Sequence, residues 1–244
     1  MTVVRDTIRH QAAIAGFITD GQTGQPVSGA LVKITNGPDS FVGQFVTWAK
    51  LVALTSAAPA AVTAARATLD DAGVGSAAKL AAAQTVLDYL QPVLGLVRPD
   101  VARAQADGHY HYLDLPNGQY TLAASLPGTG SRYGTAAAQA NVARTSDGRI
   151  TLALADVALP PTTVRGTITN GNAAPVRMAE VRVKGSGEQT FTDAQGQYIL
   201  SGLEAGSRTV IVSARGFQPV TQTVTFGQPG AVQQVNITLQ PVTP

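Results

Sequence analysis

The stretch DGHYHYLDLPNGQY, residues 107–120, sets His109 and His111 two positions apart in a chain with only three histidines. Two imidazoles at that spacing on a strand leave from the same face, an arrangement metal ligands use. The chemistry would need a third and fourth ligand. The chain has no cysteine, which removes thiolate ligands, thiol nucleophiles and disulfides together. Asp107 and Asp114 are the acids nearby in sequence. A second copy of the stretch near the C-terminus decides the matter. GQYILSGLEAGSRTV from Gly196 aligns without a gap on GHYHYLDLPNGQYTL from Gly108 and puts Gln197 and Ile199 where the histidines stand. Tyr110 pairs with Tyr198, Leu115 with Leu203, and Gly118 with Gly206. The shared positions carry the core pattern, so the histidines are assigned to the outer face of a strand and no metal site or cofactor is expected.

Other polar groups fare similarly. Asp20, Asp147, Asp193 and Glu204 sit beside or near glycine in turn-like sequence, where carboxylates bond to local backbone N–H groups. No two of them form a pair suited to acid–base work, and no catalytic residue is assigned. Lys33, Lys184 and Asn236 could supply a Lys–Asn isopeptide crosslink, but the first strand of each copy carries apolar or Arg residues where its lysine would stand. Net charge is +2 without any basic run, so nucleic-acid binding is not expected. The most apolar segment, FVGQFVTWAKLVALTSAA, is broken by Gln44 and Lys50 and is no clean bilayer span. Charged residues make up only 13%, a neutral polar surface suited to a protein packed into an assembly or displayed outside cells. Arg5, Asp6, Arg9 and His10 occupy the place where a secretory leader needs an apolar core, so cytoplasmic synthesis and assembly are expected, with later release or display.

The elements that must carry these residues come from the repeat. IAGFITDGQTGQPVSGALVKI (14–34) aligns with VRGTITNGNAAPVRMAEVRV (164–183), matching Gly16 with Gly166, Ile18 with Ile168, and Pro26 with Pro175. Each copy reads as a strand, a turn rich in Gly, Asn and Asp, and a second alternating strand. A unit of roughly 80 residues seen twice predicts two similar β domains. The expected organisation is an arm at 1–12, a first sandwich at 13–159, a linker at 160–163 built on two prolines, and a second sandwich at 164–244.

Ile34 and Gly108 lie 74 positions apart, against 13 for Val183 and Gly196, so the first copy carries an insertion at about 38–104. Its pattern is helical. Phe41, Phe45, Trp48 and Val52 share one face; a second segment runs from about Pro59 to Ala72. A third follows Ser76, read as its cap, with Leu80, Ala83, Leu87, Leu90 and Leu94 at 3-4 spacing until Pro92 and Gly95 interrupt it. The aromatic face must be covered by the insertion itself, the sandwich or another chain. Phe41, Phe45, Trp48, Val52, Leu87, Leu90 and Leu94 are taken as candidates for a protein interface. Because the second copy lacks the insertion, both sandwiches are expected to fold without it.

Both copies resemble the carboxypeptidase regulatory-like domain, a prealbumin-like, Ig-like β-sandwich, over residues 13–36, 106–159 and 164–242. The second matches best, through GTITNGNAAPVRMAEVRV, TDAQGQYILSGLEAG and VIVSARGFQPVTQTV; the T-D-x-x-G-x-Y run at Thr192–Tyr198 is its most specific piece. The expected fold class is mainly β: two tandem prealbumin-like sandwiches, the first with an inserted α-helical subdomain. The resemblance implies a folding, docking or binding role without catalysis. Taken with the helical insertion, the expectation is a structural or adaptor component with protein partners in a larger assembly, and a homo-oligomer. A phage-tail-like or contractile injection particle would fit the absence of a leader. The alternative is a cell-surface or carbohydrate-binding adhesion module.

Overall fold

The computed structural model describes residues 10–53 and 59–242, apart from the side chains of residues 93 and 94. The described part of the expected arm is therefore short. The chain forms two compact units. The first holds the described chain up to Ile18, Pro26–Ala124 and Ala137–Val157; the second holds Thr19–Gln25, Ser125–Ala136 and the described chain from Ala158 on.

The first copy of the repeat supplies β1 (Ala12–Asp20), β2 (Leu31–Asn36), helices α1 (Asp39–Ala53), α2 (Ala60–Asp70) and α3 (Ser76–Leu94), then β3 (Val101–Arg103), β4 (His109–Leu113) and β5 (Gly118–Ser125). It closes with β6 (Ala136–Arg144), β7 (Ile150–Thr151), β8 (Ala153–Leu154) and β9 (Val157–Leu159). The second copy supplies β10 (Thr163–Asn170), β11 (Glu180–Val183), β12 (Gln189–Phe191), β13 (Gln197–Ser201), β14 (Gly206–Ser213), β15 (Val220–Phe226), β16 (Val232–Gln234) and β17 (Ile237–Leu239).

The sheets repeat as the sequence does. One sheet orders β4-β1-β8 with β9 also on β1; its counterpart orders β13-β10-β16 with β17 on β10. The facing sheets are β3-β2-β5-β6-β7 and β12-β11-β14-β15. Alternation along the strands sends one set of side chains inward. Tyr110, Tyr112, Ile14, Val32 and Leu122 are buried in the first unit; Tyr198, Leu200, Val181, Val212, Phe226 and Ile237 are buried in the second.

Two repeated glycines follow from the backbone. A Cβ on Gly16 would lie 2.2 Å from the Ala155 carbonyl oxygen, and one on Gly166 would lie 1.9 Å from that of Val235. The Tyr110 and Tyr198 hydroxyls donate to those same carbonyls, Tyr198 at 2.8 Å. Glycine therefore lets the closing segment approach the first strand, and tyrosine pins it there. Gly108 and Gly196 adopt φ +80° and +72°, and a side chain there would strike the carbonyl oxygens of Ile18 and Ile168, each at 2.5 Å.

The insertion sits between β2 and β3. Residues 101–103, expected inside it, belong to the sandwich: β3 pairs with β2 from Leu31↔Arg103 to Lys33↔Val101. Ser76 is not the cap of α3 but its first residue; Gly75 holds the cap position and makes no side-chain cap bond. The Ser76 hydroxyl instead donates to Asp39 at the start of α1, at 2.5 Å. Pro92 lies inside α3, which ends at Gly95 with φ +58°. Proline there gives up the backbone bond to the Asp88 carbonyl and crowds that carbonyl, and Leu94, two residues on, is the last helical residue.

The helices are fastened to the sheet by a buried polar cluster. Arg98 donates to both Asp100 oxygens, at 2.7 and 2.8 Å, and to Asp88 at 2.7 Å. Gln84 on α3 donates to the Ile34 carbonyl of β2 at 2.7 Å and to Asp100 at 3.0 Å. Side chains of Arg98 and Asp100 are 2% and 0% exposed. Phe41 packs edge-on against Tyr120 of β5, ring centroids 5.6 Å apart. The insertion thus adds side chains to the first unit's core.

Candidate functional site

His109 and His111 stand on the outer face of the β4-β1-β8 sheet. His109 pairs with Phe17 and His111 with Ala15 across β1. The rings lie 5.6 Å apart, and Phe17 meets His109 edge-on at 5.5 Å. Among the described residues no group of three or more His, Cys, Asp or Glu side chains is placed to hold a metal ion. The third histidine, His10, bonds Asp114, which also accepts from the Gln11 amide.

The acids act on backbone. Asp20 accepts from the Gln22 and Thr23 amides at 2.8 and 2.7 Å and from the Tyr133 hydroxyl at 2.7 Å. Burial works to raise its pKa, but these hydrogen bonds outweigh it and hold the carboxyl below the ordinary range. Asp193 accepts from Gln195 and Gln197, and Asp147 from Thr145. Asn236 accepts from the Thr167 amide at 3.0 Å, as Asp156 does from Phe17 at 2.9 Å in the first unit. That shared task accounts for Asn236 as a strand tie. Lys33 bonds Asp88 at 3.3 Å and Lys184 is exposed.

Glu204, a turn acid by its sequence, ties more than its own turn. It accepts from the Ser131 hydroxyl and amide at 2.6 and 2.9 Å and pairs with Arg132 at 3.1 Å. Arg132 also reaches Glu188 at 2.8 Å and the Gly202 carbonyl at 3.0 Å. The Ser131 hydrogen bonds, with help from Arg132, hold the Glu204 carboxyl below its ordinary pKa. Residues 125–136 are held in the second unit by this cluster. Repeat alignment could not find it, because Ser131 and Arg132 have no partner positions in the second copy.

The expected interface residues are placed mostly inside. Phe41, Phe45, Leu87 and Leu90 are all buried in the first unit. Phe41 and Phe45 stack at 5.9 Å, and Arg98 lies over the Phe45 ring at 5.8 Å. This corrects their assignment as contacts: α1 and α3 pack on each other and on the sheet, so the aromatic face is spent on the core. Trp48 and Val52 are half-buried. Trp48 lines a depression of about 260 Å³ with Gln44, Pro99 and Pro116. The side chain of Leu94 lies outside the described residues.

What does face solvent is the outer side of the β4-β1-β8 sheet in the first unit and of the β13-β10-β16 sheet in the second. Phe17 (48% exposed), Leu113 (45%) and Leu154 (74%) stand there in the first unit, Ile199 (45%) and Val232 (52%) in the second. In the second unit this face also borders a groove of about 540 Å³ lined by Arg165, Thr167, Thr190, Phe191, Gln197 and Gln234, among others. No described helix is long and apolar enough to cross a membrane.

With this geometry in hand, comparison places residues 163–240 in register with the carboxypeptidase regulatory-like domain. That domain is a non-catalytic Ig-like module. A search of curated proteins finds no match. Among solved structures, the chain is similar to the TIE protein of Bacillus anthracis at 11% identity, covering 95% of this chain and 34% of that one, with TM-score 0.32. A cohesin–X-dockerin complex from Acetivibrio cellulolyticus matches at 18% identity over 32% of this chain and 56% of the other, with TM-score 0.27. A catechol 1,2-dioxygenase from Acinetobacter sp. ADP1 matches at 14% identity over 34% and 53%, with TM-score 0.28. The chain therefore spans well under two thirds of each of these structures.

Proposed function

We propose that this protein is a non-enzymatic structural or adaptor component of a larger protein assembly, meeting its partners through the outer faces of the β4-β1-β8 and β13-β10-β16 sheets. One observation carries the reading: large apolar side chains are left exposed on the same face of the equivalent sheet in both units, Phe17, Leu113 and Leu154 in one and Ile199 and Val232 in the other. Exposed apolar groups collected on one surface mark interaction sites more than isolated ones do. The match of residues 163–240 to a non-catalytic module supports the same side. So does the use of Asp20, Asp193 and Glu204 as backbone ties. Photo-crosslinkers at positions 17 and 199, introduced in the source cell, test it. Adducts to one defined protein are expected at both positions; adducts scattered over unrelated proteins would sink the proposal.

The groove on the second unit favours a second reading, carbohydrate binding. Its lining combines hydroxyls, amides and a guanidinium with the ring of Phe191, which is 49% exposed. Such lining suits sugar hydroxyls and an apolar sugar face. A glycan array with wild type and Phe191→Ala separates the two: binding lost in the variant supports this reading, and a blank array leaves the assembly role.

A further inference from the structure

The sheet edges of the two units are treated differently. In the first unit β6 is the strand next to the sheet's end and is covered by β7, through Ala143↔Thr151 and Arg144↔Ile150. Its equivalent in the second unit, β15, has no such cover. It pairs with β14 along its whole length, from Val220↔Val212 to Phe226↔Gly206, and ends the sheet. Among the described residues, no backbone bond from Val220–Phe226 to any other segment is formed. The strand is seven residues long, whereas the edges at β3 and β12 have three each.

Open edges are ordinarily guarded by charge, proline, a bulge or shortness. The sequence VTQTVTF contains no charged residue, no proline and no glycine, and its register with β14 runs without a shift. From the edge and its sequence, we infer that β15 is a docking strand for a second copy of this chain, joining two four-stranded sheets antiparallel across a two-fold axis at Thr223.

The choice of a second copy rests on self-complementarity. In an antiparallel pair centred on Thr223, Val220 meets Phe226, Gln222 meets Val224, Thr221 meets Thr225, and Thr223 meets itself. Val224 and Phe226 are buried, so alternation puts Val220 and Gln222 on the inner side with them. Each inner pair therefore brings at least one apolar side chain beside the edge of the partner's core. The exposed residues Thr221, Thr223 and Thr225 form a threonine row on the outer side. β-Branched, aromatic and Thr–Thr cross-strand pairs are the favourable ones in sheets. A two-fold axis sets each residue against its own kind or its mirror, which penalises any charged edge; this edge has none. About six to eight backbone hydrogen bonds would form, depending on whether Thr223 or its neighbours point outward. An edge alone buries less than a standard interface, so the dimer is reversible and concentration-dependent. This surface is distinct from the outer sheet faces, so either assignment can fail without the other.

Sedimentation velocity on the full chain over a wide concentration range tests the inference. Wild type should show a monomer–dimer equilibrium. Thr223→Lys sets two ammonium groups opposite each other and should weaken the dimer at least tenfold; Thr223→Glu should do the same. An equimolar mixture of the two variants should regain the dimer, because each lysine then faces a glutamate. Circular dichroism matching wild type would show both variants folded. A strictly monomeric wild type would overturn the inference, as would a dimer insensitive to Thr223→Lys or a mixture that stays monomeric.

Discussion

Replacing Gly166 by alanine tests the account of how each sandwich closes. The added methyl would lie 1.9 Å from the Val235 carbonyl oxygen and 2.6 Å from its carbon. Carbon–oxygen contacts do not fall below 3.0 Å, so the β16–β17 segment must retreat by about 1 Å, against the close packing of the interior. The Val235 carbonyl is the acceptor of the buried Tyr198 hydroxyl at 2.8 Å, and the Val235 amide donates to Arg165 at 2.8 Å. Each bond contributes about 1 kcal/mol, and a buried hydroxyl left without an acceptor costs about 1–3 kcal/mol. Together the loss should be about 3–5 kcal/mol, a large part of the stability of a domain this size. Hydrogen-exchange mass spectrometry of the full chain reads it locally: peptides within 163–240 should lose protection in Gly166→Ala. Gly187→Ala is the control, since a Cβ there meets nothing within 4 Å. A loss below 1 kcal/mol in Gly166→Ala, or an equal loss in the control, would refute the reasoning.

Asp100→Ala should destabilise the first unit by about 3–5 kcal/mol, because it leaves the buried Arg98 guanidinium without its main partner; urea unfolding followed by Trp48 fluorescence measures it, and an unchanged midpoint would show that the clamp is idle. Glu204 has a folded pKa below its unfolded one, so its tie to Ser131 is complete above about pH 5 and is lost as pH falls through and below the carboxylate range. Protection of the Ser131 amide, its exchange relative to an unprotected amide at the same pH, should accordingly fall in acid in wild type and be low already at neutral pH in Glu204→Gln. A fragment spanning 162–244 should fold cooperatively, since the whole core cluster of the second unit lies between Val164 and Leu239; an NMR spectrum without dispersion would contradict this.

The sandwich was legible because its constraints repeat. Gly16 and Gly166, Tyr110 and Tyr198, and Gly108 and Gly196 solve the same backbone problem twice, and a shared residue at matched positions exposes the problem without coordinates. Periodicity also located the three helices, with ends displaced by a residue or a few: the cap of α3 is Gly75, not Ser76. It could not say what covered the aromatic face. Phe41 and Phe45 give the same pattern whether they meet Tyr120 of their own chain or a partner, so the interface assignment fell to the core. The Arg98–Asp100 clamp and the Ser131–Glu204 tie were not legible either. Each includes residues without a counterpart in the other copy, and single polar or charged residues in loops give no spacing to read. The exposed sheet faces were half legible: the repeat placed His109 and His111 outward, but not Phe17 or Leu154.

The grouping of residues 125–136 with the second unit bears on how the chain is made. During synthesis Ser131 and Arg132 leave the ribosome some seventy residues ahead of Glu204, which amounts to several seconds at about 5–20 residues per second. Through that interval the β5–β6 connection waits without the carboxylate that will hold it. The first sheet can pair while this loop is held through Tyr133 on Asp20, and its Ser131 and Arg132 are tied down only when the second copy of the repeat has been translated. Order of emergence thus makes the later half of the chain a finishing step for a segment of the earlier half, and a nascent chain stalled before Glu204 would present that loop to proteases.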